Sequence, residues 1–238
     1  MVEQGFCKAQ VASSNLVRGL VRHQSHFKVF FVMECIPLFS SNLFCSKIEN
    51  KKILDEINNL SRKEKYRQTV GGAYTSDIGL DMRILEKIPS SKSYLMNICD
   101  NLFKNILMYS CEFEITTSWF TRAKKNQESV LHNHRNCFYS AVLYFGEYEK
   151  ETVGQIDFMS PIQSLFNYDI TPTQWNLLNS HQWSFTPDHG LLMIFPSFLY
   201  HKITHHNSKN NRYSLAFNII PVGDYGEDDS SFSSDWVY

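Results

Sequence analysis

The chain has 238 residues, of which 43% are hydrophobic and 20% charged. That composition fits a globular protein with a sizeable core and excludes a disordered one. A net charge of −1 gives no global electrostatic case for nucleic acid or a membrane surface as partner. No apolar run approaches the ~18 residues of a membrane span; the nearest is Phe27–Met33.

The first 32 residues differ from the rest. Lys8, Arg18, Arg22 and Lys28 stand against the single acid Glu3, with neither helical nor strand periodicity. The segment lacks the apolar core and cleavage site of a signal peptide. "VEQGFCKAQVASSNLVRG" resembles the spurious peptide read when a tRNA gene is translated. Residues 1–32 are therefore expected to be an unpacked or spurious extension, with Met33 as the native start and 33–238 as a single domain.

Cys35–Ile48 reads as an extended segment. Ile53, Leu54, Ile57 and Leu60 then recur at helical spacing, with Lys and Glu opposite. Gly71–Gly79 ("GGAYTSDIG") reads as a loop. A second helix should start at Ser90 or Ser91, both good N-cap residues, with an apolar stripe of Leu95, Ile98, Leu102 and Ile106. From Cys111 the pattern changes to period two. "CEFEITTSWFTR" alternates Phe113, Ile115, Thr117 and Trp119 on one face, and "FYSAVLYF", "GQIDFMS", "QWSFTP", "GLLMIFPS" and "RYSLAFNIIP" follow as short strands. Two helices followed by many strands predict an α+β, mainly β fold. The expected architecture is a double-sheet jelly roll with the two helices packed outside one sheet. An aromatic content of 14% suits such an interior.

The six cysteines, Cys7, Cys35, Cys45, Cys99, Cys111 and Cys137, form no C-x-x-C pair. They read as free thiols of a reducing compartment, which predicts a cytoplasmic setting.

Seven of the nine histidines lie between His132 and His206. On a strand, His132 and His134 would project to one face. His201, after the apolar strand "LLMIF", could add a third ligand, leaving open positions on a metal. By spacing alone the pair is equally a set of polar residues at a strand mouth. In "NNRYSLAFNIIP", Arg212, Ser214, Ala216 and Asn218 share one face. An inward Arg with a Ser two residues on makes a good carboxylate clamp; the alternative is an exposed Arg at a strand entry.

Taken together, "HNH" (132–134), "SAVLY" (140–144), "IDFMSP" (156–161), "GLLMIFPSFLYH" (190–201) and "RYSLAFN" (212–218) stand in a telling order. They resemble the H-x-H, S-G-V-x-Y, G-x-L-x-x-F-P-S-x-x-x-H and R-x-S-x-x-F-N motifs of a 2-oxoglutarate/Fe(II)-dependent oxygenase family of marine bacteria and their phages. The resemblance runs from His132 to Asn218, is looser over 35–130, and does not include 1–32.

That resemblance implies a double-stranded β-helix in which His132 and His201 bind Fe(II). Arg212 would pair with the distal carboxylate of the cosubstrate 2-oxoglutarate, with Ser214 assisting. Tyr139 or Tyr144 would add a hydroxyl; their opposite parity keeps both from pointing inward. At the position of His134 the wider superfamily usually has an acid. Here His134 is itself a ligand, or it stands beside the metal, or Asp157 supplies a carboxylate.

The implied reaction uses O2 and hydroxylates a C–H bond of an unidentified small-molecule or peptidyl substrate, with release of succinate and CO2. Residues 71–79 and 166–176 would rim the mouth. Two other readings keep the barrel: a cupin-like three-histidine metal enzyme that does not use 2-oxoglutarate, and a non-catalytic phage binding or assembly module. The chain's charge balance argues against a nucleic-acid substrate.

Overall fold

The computed structural model describes residues 41–77, 79, 82–162 and 170–233. By its contacts the chain divides into Met1–Ser41 and Asn42–Tyr238, and every element below falls in the second unit. The extension expected over residues 1–32 and the beginning of the Cys35–Ile48 segment lie outside the described residues.

After β1 (Phe44–Lys47), the helix α1 (Lys51–Lys63) begins where the Asn50 side chain accepts the Ile53 N–H, and it carries Arg62 and Lys63 in its last turn. Both features suit a helix's exposed amides and its dipole. Ile53, Leu54 and Ile57 are buried, each worth about 2 kcal/mol relative to exposure. A short antiparallel pair follows, β2 (Tyr66–Gln68) and β3 (Tyr74–Ser76). The stretch read as a loop thus contains a strand, and its glycines confine the turn to Gly71 and Gly72, both at positive φ.

Helix α2 (Pro89–Asp100) starts differently from the expectation. Ile88 occupies the cap position without a side-chain bond and Pro89 opens the helix. Ser90 and Ser91 sit in the first turn and hydrogen-bond the Glu56 carboxylate, which also accepts the Ser91 N–H at 3.1 Å. A carboxylate from α1 therefore caps α2, and its pKa is lowered chiefly by the bond from Ser91. Past Asp100 the helix widens, with the Leu107 N–H reaching the Leu102 carbonyl. The widening rotates the expected stripe: Leu95, Cys99, Leu102 and Phe103 are buried, whereas Ile106 is exposed.

The remaining long strands are β4 (Glu112–Ala123), β5 (Tyr139–Tyr144), β6 (Ile156–Met159), β7 (Gln182–Phe185), β8 (Leu191–Pro196), β9 (His201–Ile203) and β10 (Arg212–Val222). A small ribbon of β11 (Asp224–Tyr225) and β12 (Phe232–Ser233) follows. Seven strands form one sheet in the order β1-β8-β5-β10-β4-β3-β2, and β7-β6-β9 form a second. This is the mainly β, double-stranded β-helix with two supporting helices that the pattern predicts.

The large sheet separates two cores. On its helix side, α1 and α2 pack on Tyr139, Ala141, Leu143, Leu192, Ile194, Tyr213, Leu215 and Phe217. Between the sheets, Val142, Tyr144, Met193 and Phe195 meet Ile156, Phe158 and Leu199. Alternation along each strand decides which core a residue enters.

One strand breaks that rule. In the β4–β10 register Asn218 faces Thr117 but Ile219 faces Ile115, so Thr116 is an extra, unpaired residue. This β-bulge switches the parity of β4. Phe113 and Ile115 enter the helix-side core and so does Phe120, while Thr117 and Trp119 turn to the inter-sheet side. The single alternating face expected from Phe113 to Trp119 is corrected accordingly.

Candidate metal and anion site

His132 does not lie in a regular strand. It makes an isolated antiparallel bridge with His201 at the start of β9, the two backbones exchanging bonds of 3.0 and 2.8 Å. The His134 N–H bonds the Ser197 carbonyl at 3.0 Å. Backbone pairing therefore brings together two histidines adjacent in sequence and a third that is remote. One ligating atom from each of His132, His134 and His201 lies within 4.8 Å of the others, and among the described residues this is the one group of three or more His, Cys, Asp or Glu side chains so placed.

The tautomers of two of them follow from their partners. His132 Nδ1 faces the Val130 carbonyl at 2.8 Å and His201 Nδ1 faces the Leu199 carbonyl at 3.0 Å. A carbonyl only accepts, so each Nδ1 carries the hydrogen and each Nε2 keeps its lone pair. Burial, with a lesser contribution from neighbouring His132, depresses the pKa of His134 to about 4 and that of His201 to about 3. Neutral imidazoles are the form that binds a metal. The rings of Phe158 and Phe195 lie 5.8 and 4.9 Å from that of His201, shielding it from water.

Asp157 is not part of this group. Its neighbours Ile156 and Phe158 enter the inter-sheet core, so its side chain takes the other face of β6, where Ser184 Oγ donates to it at 2.6 Å.

Arg212 is 1% exposed. Its Nη2 donates to the Tyr144 hydroxyl at 2.9 Å and its guanidinium lies 4.8 Å from the Tyr144 ring centroid. Its Nε is buried without a hydrogen-bond partner. No carboxylate among the described residues is bonded to it. A buried cation left in this state is costly, and an anion entering between the sheets would relieve it. The donor set thus fits a carboxylate-bearing cosubstrate, as the three clustered imidazoles fit a divalent metal. Ser214, two residues on along the same face, shares a 2.6 Å hydroxyl bond with Thr121.

Of the two tyrosines named from sequence, Tyr144 turns toward Arg212. Burial raises its pKa. Tyr139 does not: its ring lies in the helix-side core against Phe44, Phe103 and Phe138, as odd-numbered positions of β5 must. Its assignment to cosubstrate binding is corrected on that ground.

Sequence reasoning passed over Trp119, which stacks on His134 with centroids 5.4 Å apart, because the bulge was invisible in the pattern. Of the expected rim, Tyr74–Ser76 is in β3, and 166–169 of the stretch 166–176 lie outside the described residues.

Residues 117–218 match the model of the family described as "Putative 2OG-Fe(II) oxygenase". No curated protein matches the sequence. Among solved structures the chain is similar to an oxidoreductase of the 2OG-Fe(II) oxygenase family from Burkholderia pseudomallei, at 16% identity and a TM-score of 0.51, over 74% of this chain and 84% of that one. It is also similar to a Pseudomonas putida prolyl-4-hydroxylase (14% identity, TM-score 0.51, 75% and 93% covered). A third is HygX from Streptomyces hygroscopicus with nickel, 2-oxoglutarate and hygromycin B bound (9%, 0.54, 76% and 83%). At these identities the structures speak to the fold, while the matched segment contains all three clustered histidines and Arg212. The matched segment resembles the 2-oxoglutarate/Fe(II)-dependent oxygenases, oxidoreductases whose cofactors are Fe(II) and 2-oxoglutarate, and the solved structures share this chain's fold.

Proposed function

We propose that this chain is a dioxygenase that hydroxylates a C–H bond of a small-molecule or peptidyl substrate, converting 2-oxoglutarate and O2 to succinate and CO2. The observation that carries the reading is Arg212, a buried cation with an unpartnered Nε, in the same inter-sheet space as the three clustered histidines.

In this reading His132, His134 and His201 hold the iron, and Arg212, Ser214 and Tyr144 hold the far carboxylate of 2-oxoglutarate. The bound metal and cosubstrate supply the oxidative chemistry. The protein's own work is positioning. Arg212 offers a rigid fork of donors that fixes both the location and the direction of a carboxylate. Tyr144 holds the guanidinium from one side at 2.9 Å. Arg212 is shut off from water, which strengthens the ion pair that forms. The two backbone-anchored histidines present Nε2 lone pairs without rearrangement, so little ordering is left to be done when metal arrives.

Leu131, Phe198 and Tyr200, chain neighbours of the clustered histidines or of β9, are 49%, 54% and 48% exposed. They offer an apolar border to the substrate. HygX in complex with hygromycin B and a prolyl hydroxylase in complex with a peptide fragment are the two substrate classes that motivate this breadth. A cytoplasmic setting is part of the proposal, in keeping with Cys99, Cys111 and Cys137 as thiols outside any disulfide.

The test is succinate release in the presence of Fe(II), 2-oxoglutarate and ascorbate, with candidate substrates. Succinate formation abolished in both His132→Ala and His201→Ala supports the reaction class; formation that persists in either refutes the site. A second reading, a three-histidine metal enzyme without 2-oxoglutarate, is favoured by the absence of a carboxylate from the cluster. Under it, Arg212→Ala keeps its activity.

A further inference from the structure

One buried histidine stands outside the cluster. His206 is 1% exposed, and both of its ring nitrogens are engaged. Nδ1 accepts the Gly154 N–H at 3.1 Å, and Nε2 meets the Asn210 carbonyl at 2.7 Å. An amide N–H only donates and a carbonyl only accepts, so Nε2 carries the hydrogen. This is the reverse of the tautomer in His132 and His201, and it leaves no ring lone pair for a metal.

The backbone around His206 is held as well. Its N–H donates to the Gln127 carbonyl at 3.0 Å and its carbonyl accepts the Asn126 N–H at 2.7 Å, just past the end of β4. The Asn207 N–H bonds the Thr152 carbonyl at 2.9 Å. Gly154 lies so close that a Cβ there would come within 2.5 Å of the Thr204 carbonyl oxygen. Two separate stretches of chain thus keep the imidazole in place.

Asn210, whose carbonyl the imidazole holds, lies two residues before Arg212. Its N–H donates to Ser208 Oγ at 3.1 Å, and that hydroxyl donates to Glu149 Oε2 at 3.1 Å. The sheet itself secures this end of β10 on one side only. Arg212 pairs with Ala123 of β4, but the ladder to β5 starts at Ser214, opposite Tyr144. The first residue of the strand therefore depends on the loop that delivers it.

Resting on the reading of Arg212 as the clamp of 2-oxoglutarate, we propose that His206 is the positioning residue of that clamp. By holding the Asn210 carbonyl, its Nε2–H fixes where β10 begins, and so where the Arg212 guanidinium stands before the cosubstrate arrives. The bond at Nδ1 anchors the ring, and the bond at Nε2 does the positioning. Two amide side chains separate these bonds. Asparagine can place its oxygen near the position of Nδ1, and glutamine its N–H near that of Nε2. His206→Asn therefore keeps the Gly154 bond and loses the Asn210 bond, and His206→Gln does the reverse.

The experiment titrates 2-oxoglutarate into the Ni(II)-loaded full chain by calorimetry. His206→Asn should bind it about 5- to 10-fold more weakly, the loss expected of one hydrogen bond. His206→Gln should stay within about twofold of native. Ni(II) affinity, measured on the same proteins, should be native in both, since neither bond of His206 involves a clustered histidine. Ser208→Ala, which removes the acceptor of the Asn210 N–H, should weaken 2-oxoglutarate binding in the same direction, and it carries the test if the His206 variants do not fold.

Binding within about twofold of native in His206→Asn, or in Ser208→Ala where the His206 variants do not fold, overturns the proposal. Equal weakening in His206→Asn and His206→Gln overturns it too, because the effect then belongs to the bulk of a buried ring and not to the bond at Nε2. Failure of the underlying reading looks different: Arg212→Ala would then bind 2-oxoglutarate as the native chain does. Arg212→Ala weakened with His206→Asn unaffected removes only the role of His206.

Discussion

Arg212→Met separates a residue built for a ligand from one built for stability, because the two effects have opposite signs. The substitution keeps length and removes the charge. It loses the 2.9 Å bond to Tyr144, about 1 kcal/mol net, and the guanidinium–ring contact at 4.8 Å, about 1–2 kcal/mol. Against that, it relieves a buried Nε without a partner, about 1–3 kcal/mol, and an unpaired buried charge, which costs several kcal/mol. The metal-free, ligand-free protein should therefore gain about 1–3 kcal/mol, or roughly 3–9 °C in Tm for a chain of this size. Binding of 2-oxoglutarate should move the other way. Losing one partner of a buried charge pair costs about 2–5 kcal/mol, which is about 30- to several-thousand-fold in Kd. Scanning calorimetry of the metal-free protein and titration of 2-oxoglutarate into the Ni(II)-loaded protein measure the two effects. A variant that is less stable yet binds 2-oxoglutarate as tightly would refute the reasoning.

The two tyrosines should behave differently. Tyr144→Phe removes the hydroxyl beside Arg212 and should weaken 2-oxoglutarate binding about 5- to 10-fold, while Tyr139→Phe, in the helix-side core, should leave it unchanged by the same titration. The low pKa values of His134 and His201 set a pH dependence. The unfolded chain binds more protons below about pH 6.5, so the stability these groups contribute is complete above that pH and is lost as pH falls toward about 4 and 3. Urea unfolding of the metal-free protein should be weaker by about 2–4 kcal/mol at pH 5 than at pH 7, and His201→Gln should remove about half of that difference. Deleting Thr116 closes the bulge and forces Thr117 and Trp119 or Phe113 and Ile115 onto the wrong face, so soluble, metal-binding protein should be lost. Thr116→Ala should shift Tm by less than about 3 °C. Gly190→Ala should lower Tm by about 4–8 °C, since φ there is +76° and a Cβ would strike the Ile48 carbonyl; an unchanged melting curve would contradict that.

Much of this was legible in the chain. The α1 face, the strands β5, β6, β7, β8 and β10, and the paired parity of Arg212 and Ser214 all follow from periodicity, since sheet alternation is local. What the pattern hid was non-local or single-residue. The extra Thr116 changes no residue type in the alternating run, yet it reverses the face of Trp119. The widened turn after Asp100 moves Ile106 to the surface without altering the spacing of apolar residues. The strand β3 lies in a stretch whose glycines read as loop, and it is held between the short β2 and the remote β4. The histidine cluster needed the bridge between His132 and His201, a contact no spacing rule contains. The choice between Tyr139 and Tyr144 was posed by parity and required the fold to decide.

The most direct measurement is X-ray absorption spectroscopy of the anaerobic protein loaded with Fe(II) and 2-oxoglutarate. The account predicts three imidazole ligands and two oxygens from a chelating cosubstrate, falling to two imidazoles in His134→Ala. Two imidazoles and a protein carboxylate in the native chain, or a spectrum unaltered by 2-oxoglutarate, would contradict it.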